Sequence, residues 1–248
     1  MKKIITLLAL LCPVCCNIVA APKAAPKAAP ALWISGPAVP SGVQPLELMP
    51  DGQTYKYAGA LNPGELYVQT TKKTTGATRY LAPTLPDALI ANRGTAYEER
   101  TEPTAWQVPF QNDLYRFTVS TADRRLQGEI FQPWGELFLA GGATEVGWHC
   151  EGRMLLMTQD RENPCLWTWE GELRNHPDVE EPRSFKFMGQ DRYQPKSIHP
   201  YRQGDDPLNV GQLRTGGDDT KWDITQDGRY RIEIDLFHET ITARLLTK

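Results

Sequence analysis

The amino-acid sequence predicts an all-β protein made of two tandem, Ig-like β-sandwiches that follow an export signal. Three observations carry this expectation. A series of short segments recurs once in the same order, turn residues are abundant, and the N-terminus has the layout of a secretory leader.

The chain has 248 residues, which suits two domains of ordinary size. Hydrophobic residues make up 40% and charged residues 23%, the balance of a folded globular chain. With 20 glycines and 20 prolines, short strands joined by turns are favoured over long helices. The net charge of −3 leaves no basic surplus to attract nucleic acid or an anionic membrane.

The N-terminus opens with Met1, Lys2 and Lys3, then an apolar run from Ile4 to Leu11 that continues less cleanly to Val19. Residues 1–20 therefore read as a signal peptide, with Ala20 at the end. Pro13 and Asn17 interrupt the run, and it is too short for a good membrane span. Residues 21–30 form an Ala/Pro/Lys linker whose side chains are too small to pack. Three of the five cysteines, Cys12, Cys15 and Cys16, fall in the signal. Leu11, Val14 and Cys15 precede them, where a lipid-modified cysteine would be preceded by a small residue. The remaining Cys150 and Cys165 are expected to pair as a disulfide in an oxidising compartment, with buried thiols as the alternative. Such a crosslink would add about 3 kcal/mol in the chain-entropy model.

The repeat begins with Leu32–Gly36 (LWISG), matched by Leu137–Gly141 (LFLAG). Tyr55–Leu61 (YKYAGAL) is then matched by Trp167–Leu173 (WTWEGEL). Aromatics two apart in these segments lie on one face of a strand. Leu66–Val68 corresponds to Phe185–Phe187, and Thr78-Arg79-Tyr80 to Asp191-Arg192-Tyr193. Thr104–Val108 corresponds to Thr220–Ile224, and Leu114–Val119 to Arg229–Asp235, each followed by one last strand. Chance does not keep such matches in order, so a duplicated unit is expected. The first sandwich is assigned to 31–132 and the second to 135–248, with Gln132-Pro133-Trp134 as a tight junction. Each copy is long enough for its own core.

Motifs for catalysis are absent. There is no GxSxG elbow, HExxH helix, P-loop or GxGxxG turn. His149, His176, His199 and His238 are dispersed without metal-ligand spacing. Asp205-Asp206 and Asp218-Asp219 sit beside glycine, as turn formers do more often than calcium ligands. A hydrolase needs only two well-placed carboxylates, but no distinctive acidic motif marks a pair. No catalytic residue, metal or cofactor is therefore assigned.

Binding is better served. Seven tryptophans and nine tyrosines are many for a small β protein. Sugar rings offer C–H faces to an aromatic platform and hydroxyls to charged side chains. Trp148 lies in a loop where core packing makes no demand, unlike Trp167 and Trp169, which alternate with polar residues, and Trp106 and Trp222, which recur in both copies. Lys186, Arg192, Tyr193, Lys221 and Trp222 add to the mixture in the second copy. Gln69–Thr104 and Gly189–Thr220 exceed ordinary loop lengths and are expected to carry function or further structure.

The second copy, with LFLAGGATEVGWH, WTWEGEL, FKF, a Tyr-x-Pro, Trp-Asp-Ile and DGRYRIEID, resembles the modules of the SusE/SusF type of outer-membrane starch-binding proteins. The resemblance covers Gly135–Leu246 closely and Ala31–Gln132 less so. It implies a carbohydrate-binding-module-like sandwich that holds starch or maltooligosaccharide without catalysis. It also implies placement at the cell envelope, on the outer-membrane surface or in the periplasm, beside glycan-uptake proteins. Carried over residue by residue, it implies Trp148, Lys186, Arg192 and Tyr193 as ligand contacts in the second copy. In the first copy only Arg79 and Tyr80 remain, with Tyr67 in place of the lysine. The competing expectation is a structural or adhesion protein whose tandem sandwiches act as spacers or protein contacts.

Overall fold

The computed structural model describes residues 31–246. The predicted signal and linker lie outside the described residues. Among these residues there is no helix, and the chain is all-β. The first half forms β1 (Trp33–Ser35), β2 (Gln44–Pro45), β3 (Glu47–Leu48), β4 (Thr54–Leu61), β5 (Gly64–Gln69), β6 (Tyr80–Pro83), β7 (Asn92–Arg100), β8 (Trp106–Val108), β9 (Asn112–Ser120) and β10 (Arg125–Ile130). The second forms β11 (Phe138–Ala140), β12 (Leu155–Leu156), β13 (Thr158–Gln159), β14 (Leu166–Leu173), β15 (Ser184–Met188), β16 (Ser197–His199), β17 (Arg214–Thr215), β18 (Trp222–Asp223), β19 (Gly228–Asp235) and β20 (Thr240–Leu246).

All strand pairs are antiparallel, and adding ten to a label converts one half into the other. In the first half β1 pairs with β2 and β5, and β5 also pairs with β6 and β8. In the second half β11 pairs with β12 and β15, and β15 with β16 and β18. The opposing sheets, β3–β4–β9–β10 and β13–β14–β19–β20, match in the same way. One link differs. The long β7 pairs with both β6 and β10 and joins the two sheets into one path. The short β17 pairs only with β16, while nearby Gln212 makes one isolated bridge to Thr240. The two regions expected as long loops therefore contain β6 and β7 in one half and β16 and β17 in the other.

Alternation places the cores. In β14, Trp167 and Trp169 are buried while Leu166, Glu170 and Glu172 are exposed. They meet Phe185, Phe187 and Trp222 from the opposing sheet. Tyr55, Tyr57, Leu66 and Trp106 occupy the same stations in the first core. Gly171 shows why this strand changes from bulky to small: a Cβ there would lie 2.3 Å from the Trp169 indole. Gly59 leaves the same room for Tyr57, whose hydroxyl would be 2.9 Å from a Cβ. Side chains from facing sheets are thus removed from water together, the main favourable contribution to a fold of this kind.

The halves also pack on each other. Phe131, at the end of the first half, is buried in the second core with its ring 6.0 Å from that of Phe237. The Arg116 guanidinium stands 4.5 Å from the centre of the Phe131 ring. From the outer face of β4 and β9, Lys56 and Arg116 reach the turn between β19 and β20. Arg116 Nη1 donates to Leu236 O at 2.7 Å and lies 3.4 Å from Glu239. Lys56 Nζ donates to His238 O and lies 3.9 Å from Glu239. All three ionised groups are buried, at 3%, 8% and 7% exposure for Lys56, Arg116 and Glu239, so a low local dielectric strengthens their interactions. Burial still pushes the Lys56 ammonium below its ordinary pKa, although Glu239 and Glu47 pull it upward.

The expected disulfide is not formed. Cys150 and Cys165 are free thiols. Cys165 is buried in the second core, whereas Cys150 packs with Tyr193 on a separate small cluster of Ala140, Met154 and Met188. The two sulfurs thus belong to different hydrophobic clusters. Burial, with the charge of Asp235, pushes the Cys165 thiol pKa up against a smaller pull from Arg116. Alkylation of the native protein is expected to modify Cys150 and to reach Cys165 only on unfolding. Mass spectrometry of the non-reduced protein checks this, and a 150–165 crosslink would overturn it.

Candidate functional site

The antiparallel register assembles a row of side chains on the outer face of the β11–β15–β16–β17 sheet. Ala140 lies opposite Lys186, and His199 lies opposite Arg214. Lys186 is flanked by Phe185 and Phe187, which point into the core, so period-two alternation turns the lysine outward. The segment after β17 folds over this row. Arg214 holds it there, with Nε donating to Pro200 O, Nη1 to Gly216 O, and Nη2 to Asp218 O and Thr220 Oγ1. That fold-over delivers Asp219 to the lysine.

Lys186 Nζ is 2.6 Å from Asp219 Oδ1. Lys221 Nζ is 3.5 Å from Asp219 Oδ2 and 3.2 Å from Glu181 Oε1. His199 Nδ1 is 3.7 Å from Asp219 Oδ1. The Lys186 side chain is 7% exposed and that of Asp219 is 59% exposed, so the carboxylate is the part of the pair that meets solvent. Partial burial alone would raise the Asp219 pKa. The hydrogen bond from Lys186 and the charges of Lys186, Lys221 and His199 outweigh that and hold it below the usual carboxylate value. Burial likewise opposes the charge on Lys221, but Glu181 and Asp219 raise its pKa on balance.

Aromatic rings stand beside both lysines. Lys186 Nζ is 5.1 Å from the centre of the Tyr193 ring. Lys221 Nζ is 5.6 Å from the centre of the Trp148 ring. Trp148 is half-buried, and its Nε1–H donates to Glu180 O at 2.9 Å. Its loop is pinned internally. Thr144 is buried and donates through Oγ1 to Gly141 O, while Gly141 N donates to Gly147 O. The structure therefore brings Trp148, Lys186 and Tyr193 into one surface with Lys221. Arg192 is exposed beside Tyr193, and its side chain has no hydrogen-bond or ion-pair partner among the described residues.

Sequence reasoning missed the centre of this cluster. Asp219 entered as a turn former or calcium ligand, His199 as one of four dispersed histidines, and Arg214 not at all. No sequence signal marked this centre, because Lys186, His199 and Arg214 meet only through the pairing of β15, β16 and β17. Asp205 and Asp206 do act as turn formers, accepting from Arg202 N and Leu208 N respectively. No group of three or more His, Cys, Asp or Glu residues suited to a metal ion occurs among the described residues.

The first half places its matched residues differently. Tyr67 corresponds to Lys186, since Ser35 lies opposite Tyr67 as Ala140 lies opposite Lys186. The match of Arg79-Tyr80 to Arg192-Tyr193 is a correction. Tyr80 pairs with Gln69 inside β6, whereas Met188, the residue at the Gln69 position, pairs with Ser197. Tyr80 thus occupies the station of Ser197, and Tyr193 lies in the preceding turn. Tyr80 is buried with its ring 6.3 Å from that of Tyr67, and the Arg79 Nη1 donates to Thr78 O.

One chain of contacts in the second half has the order of a nucleophile–base–acid triad. His199 Nε2 is 2.8 Å from Ser197 Oγ, and Asp219 lies beyond the other ring nitrogen. However, His199 Nδ1 is 2.8 Å from Thr220 O, so that nitrogen carries the proton and Nε2 accepts from Ser197. Burial lowers the pKa of the ring, against the smaller raising effects of Thr220 and Asp219. Ser197 is only 4% exposed, which encloses its hydroxyl away from any carbonyl substrate. These contacts hold β16 under the loop carrying Asp219.

Fold and site together define a tandem β-sandwich protein with a surface of paired lysines, carboxylates and aromatic rings on one half. No family model matches the chain. No curated protein matches it. The crystal structure of SusF from Bacteroides thetaiotaomicron is similar to 90% of this chain and 50% of that one, with TM-score 0.40 and 9% identity. The chain spans about half the length of that structure. A likeness at this level says nothing about a ligand.

Proposed function

We propose that the chain is a non-catalytic glycan-binding protein of the cell envelope, with 31–132 and 135–248 as its two modules. The observation that carries this reading is the juxtaposition of Trp148 and Tyr193 with Lys221, Asp219 and Lys186 on one surface. Trp148 supplies the platform for a sugar face, because its anchored N–H fixes the ring in place. Asp219, Lys221 and Arg192 bond vicinal hydroxyls, which need donors and acceptors at close spacing. The enclosed Lys186 orients Asp219. Starch or maltooligosaccharide is the assigned ligand class, and envelope glycan-uptake proteins are the assigned neighbours.

Affinity electrophoresis in soluble starch tests this. The unmodified protein is expected to be retarded, and Trp148→Ala to be retarded markedly less, with unchanged thermal stability. A panel of α- and β-glucans that leaves migration unaltered would sink the reading.

A second reading draws on the buried Lys56–Glu239–Arg116 contact, which ties the sandwiches into one unit as a spacer or adhesion protein requires. Co-purification with a surface protein, unaffected by Trp148→Ala, would favour it.

A further inference from the structure

The outer face of β4, β9 and β10 is only partly covered by the second sandwich. Cross-strand register sets two rows on this face, Lys56–Thr118–Gln127 and Ala58–Arg116–Glu129. The turn carrying Glu239 docks over Lys56, Ala58 and Arg116. The part nearer β10 stays open. It forms one wall of a cleft of about 620 Å³ that Thr215 and Glu239 of the second half close from the other side. That size lies within the ~300–1,000 Å³ of small-molecule sites, which favour junctions between domains.

A β-bulge shapes the rim of the cleft. Between β10 and β7 the register shifts, so that Leu126 faces Thr95 but Gly128 faces Asn92. The extra residue falls at Arg93-Gly94, with Gly94 at φ +113°, a conformation that glycine adopts without strain. The bulge is braced from both sides. Asn92 Oδ1 accepts from Gly94 N and Thr95 N, and Arg125 Nη1 donates to Gly94 O. A bulge of this kind re-aims a side chain. Here it lets Arg93 line the cleft, with no partner for its guanidinium among the described residues. Thr118 and Gln127 also line the cleft without side-chain partners, and Glu129 uses only Oε1, toward Arg116.

We propose that this inter-sandwich cleft is a second ligand site, built to take an uncharged polyhydroxylated ligand, a hexose unit of the same glycan. The inference rests on the glycan-binding reading above. Opposite charges inside the cleft nearly balance, since Arg116 is held by Glu129 and Glu239. A strongly anionic or cationic ligand finds no matching field there. Free donors from Arg93 and Gln127, a hydroxyl from Thr118 and the second oxygen of Glu129 provide mixed donors and acceptors, the requirement of neighbouring sugar hydroxyls. The site needs both halves, because Thr215 and Glu239 form its far wall.

Isothermal titration of the full chain with maltoheptaose tests this through stoichiometry. Two sites are expected in the unmodified protein. Trp148→Ala is expected to leave one, and Arg93→Ala/Gln127→Ala to leave the other while weakening the cleft site at least about tenfold. Both cleft residues are exposed and unpartnered, so their removal leaves the fold intact by thermal melt. A single site, lost in Trp148→Ala and untouched in the double variant, would overturn the cleft proposal and leave the glycan reading standing. An absence of any binding would overturn both.

Discussion

Glu239→Ala is expected to destabilise the protein by about 3–5 kcal/mol, the cost of removing one partner from a buried ionic contact. Glu239 lies between Lys56 and Arg116, and all three groups are withdrawn from water. Without the carboxylate, two cations remain buried at the contact. Arg116 keeps Glu129 and the Leu236 carbonyl, whereas Lys56 keeps the His238 carbonyl and Glu47, whose half-exposed carboxylate at 4.0 Å is screened by solvent. Lys56 is therefore the group most exposed to the loss. Adding Lys56→Met to Glu239→Ala is expected to recover part of it, by removing a buried ammonium left with only the half-exposed Glu47 as its counter-charge. Urea melts of the two single variants and the double variant form the required cycle. Glu239 Oε1 also accepts from Thr215 N, so part of the loss will be local to β17 and will not be recovered. A loss below about 1 kcal/mol, the usual worth of an exposed pair, would show that the contact is solvated and does not hold the halves together.

Replacing Trp106 or Trp222 by alanine is expected to cost about 3–5 kcal/mol at either position, as large aromatic deletions from a core do. The two occupy one station, since Trp106 lies opposite Leu66 and Trp222 opposite Phe185, and both are fully buried. The informative substitution is phenylalanine. Trp106 Nε1 donates to Leu81 O at 2.9 Å, whereas Trp222 Nε1 is buried without a partner. Trp106→Phe removes a made hydrogen bond and strands a carbonyl. Trp222→Phe removes only an unsatisfied donor and keeps an aromatic ring near Phe185 and Phe187. The first is expected to be the more destabilising by about 1 kcal/mol or more. Equal losses in calorimetry would mean that indole volume alone decides stability at this station.

Much of the architecture was legible along the chain. Aromatics two apart in Tyr55–Leu61 and Trp167–Leu173 marked β4 and β14, because a strand sends alternate residues to one face. The ordered matches marked the repeat, and the pairing scheme reproduces it except at β7, which joins both sheets where β17 does not. Short motif matches were less secure where no alternation supported them. Arg79-Tyr80 and Arg192-Tyr193 look alike as text, yet one tyrosine is in a strand and the other in a turn. Cys150 and Cys165 looked like a pair by elimination, but proximity in sequence does not place two side chains in one cluster.

The candidate site was half legible. Trp148, Lys186, Tyr193 and Lys221 were found by residue type, since sugars call for aromatics and charged donors. Asp219 was not, because its role depends on Arg214 folding its segment back over Lys186. The cleft beside Glu239 had no sequence signal at all. By itself, the sequence determined the all-β class, the duplicated strand order and the residues that fill each core. Those follow from local alternation and composition, which every strand carries within itself. Which charges meet, which tyrosine corresponds to which, and how the two sandwiches enclose a space between them were decided only by tertiary structure. Each depends on strand register and on the docking of distant surfaces, and neither is encoded at any one point along the chain.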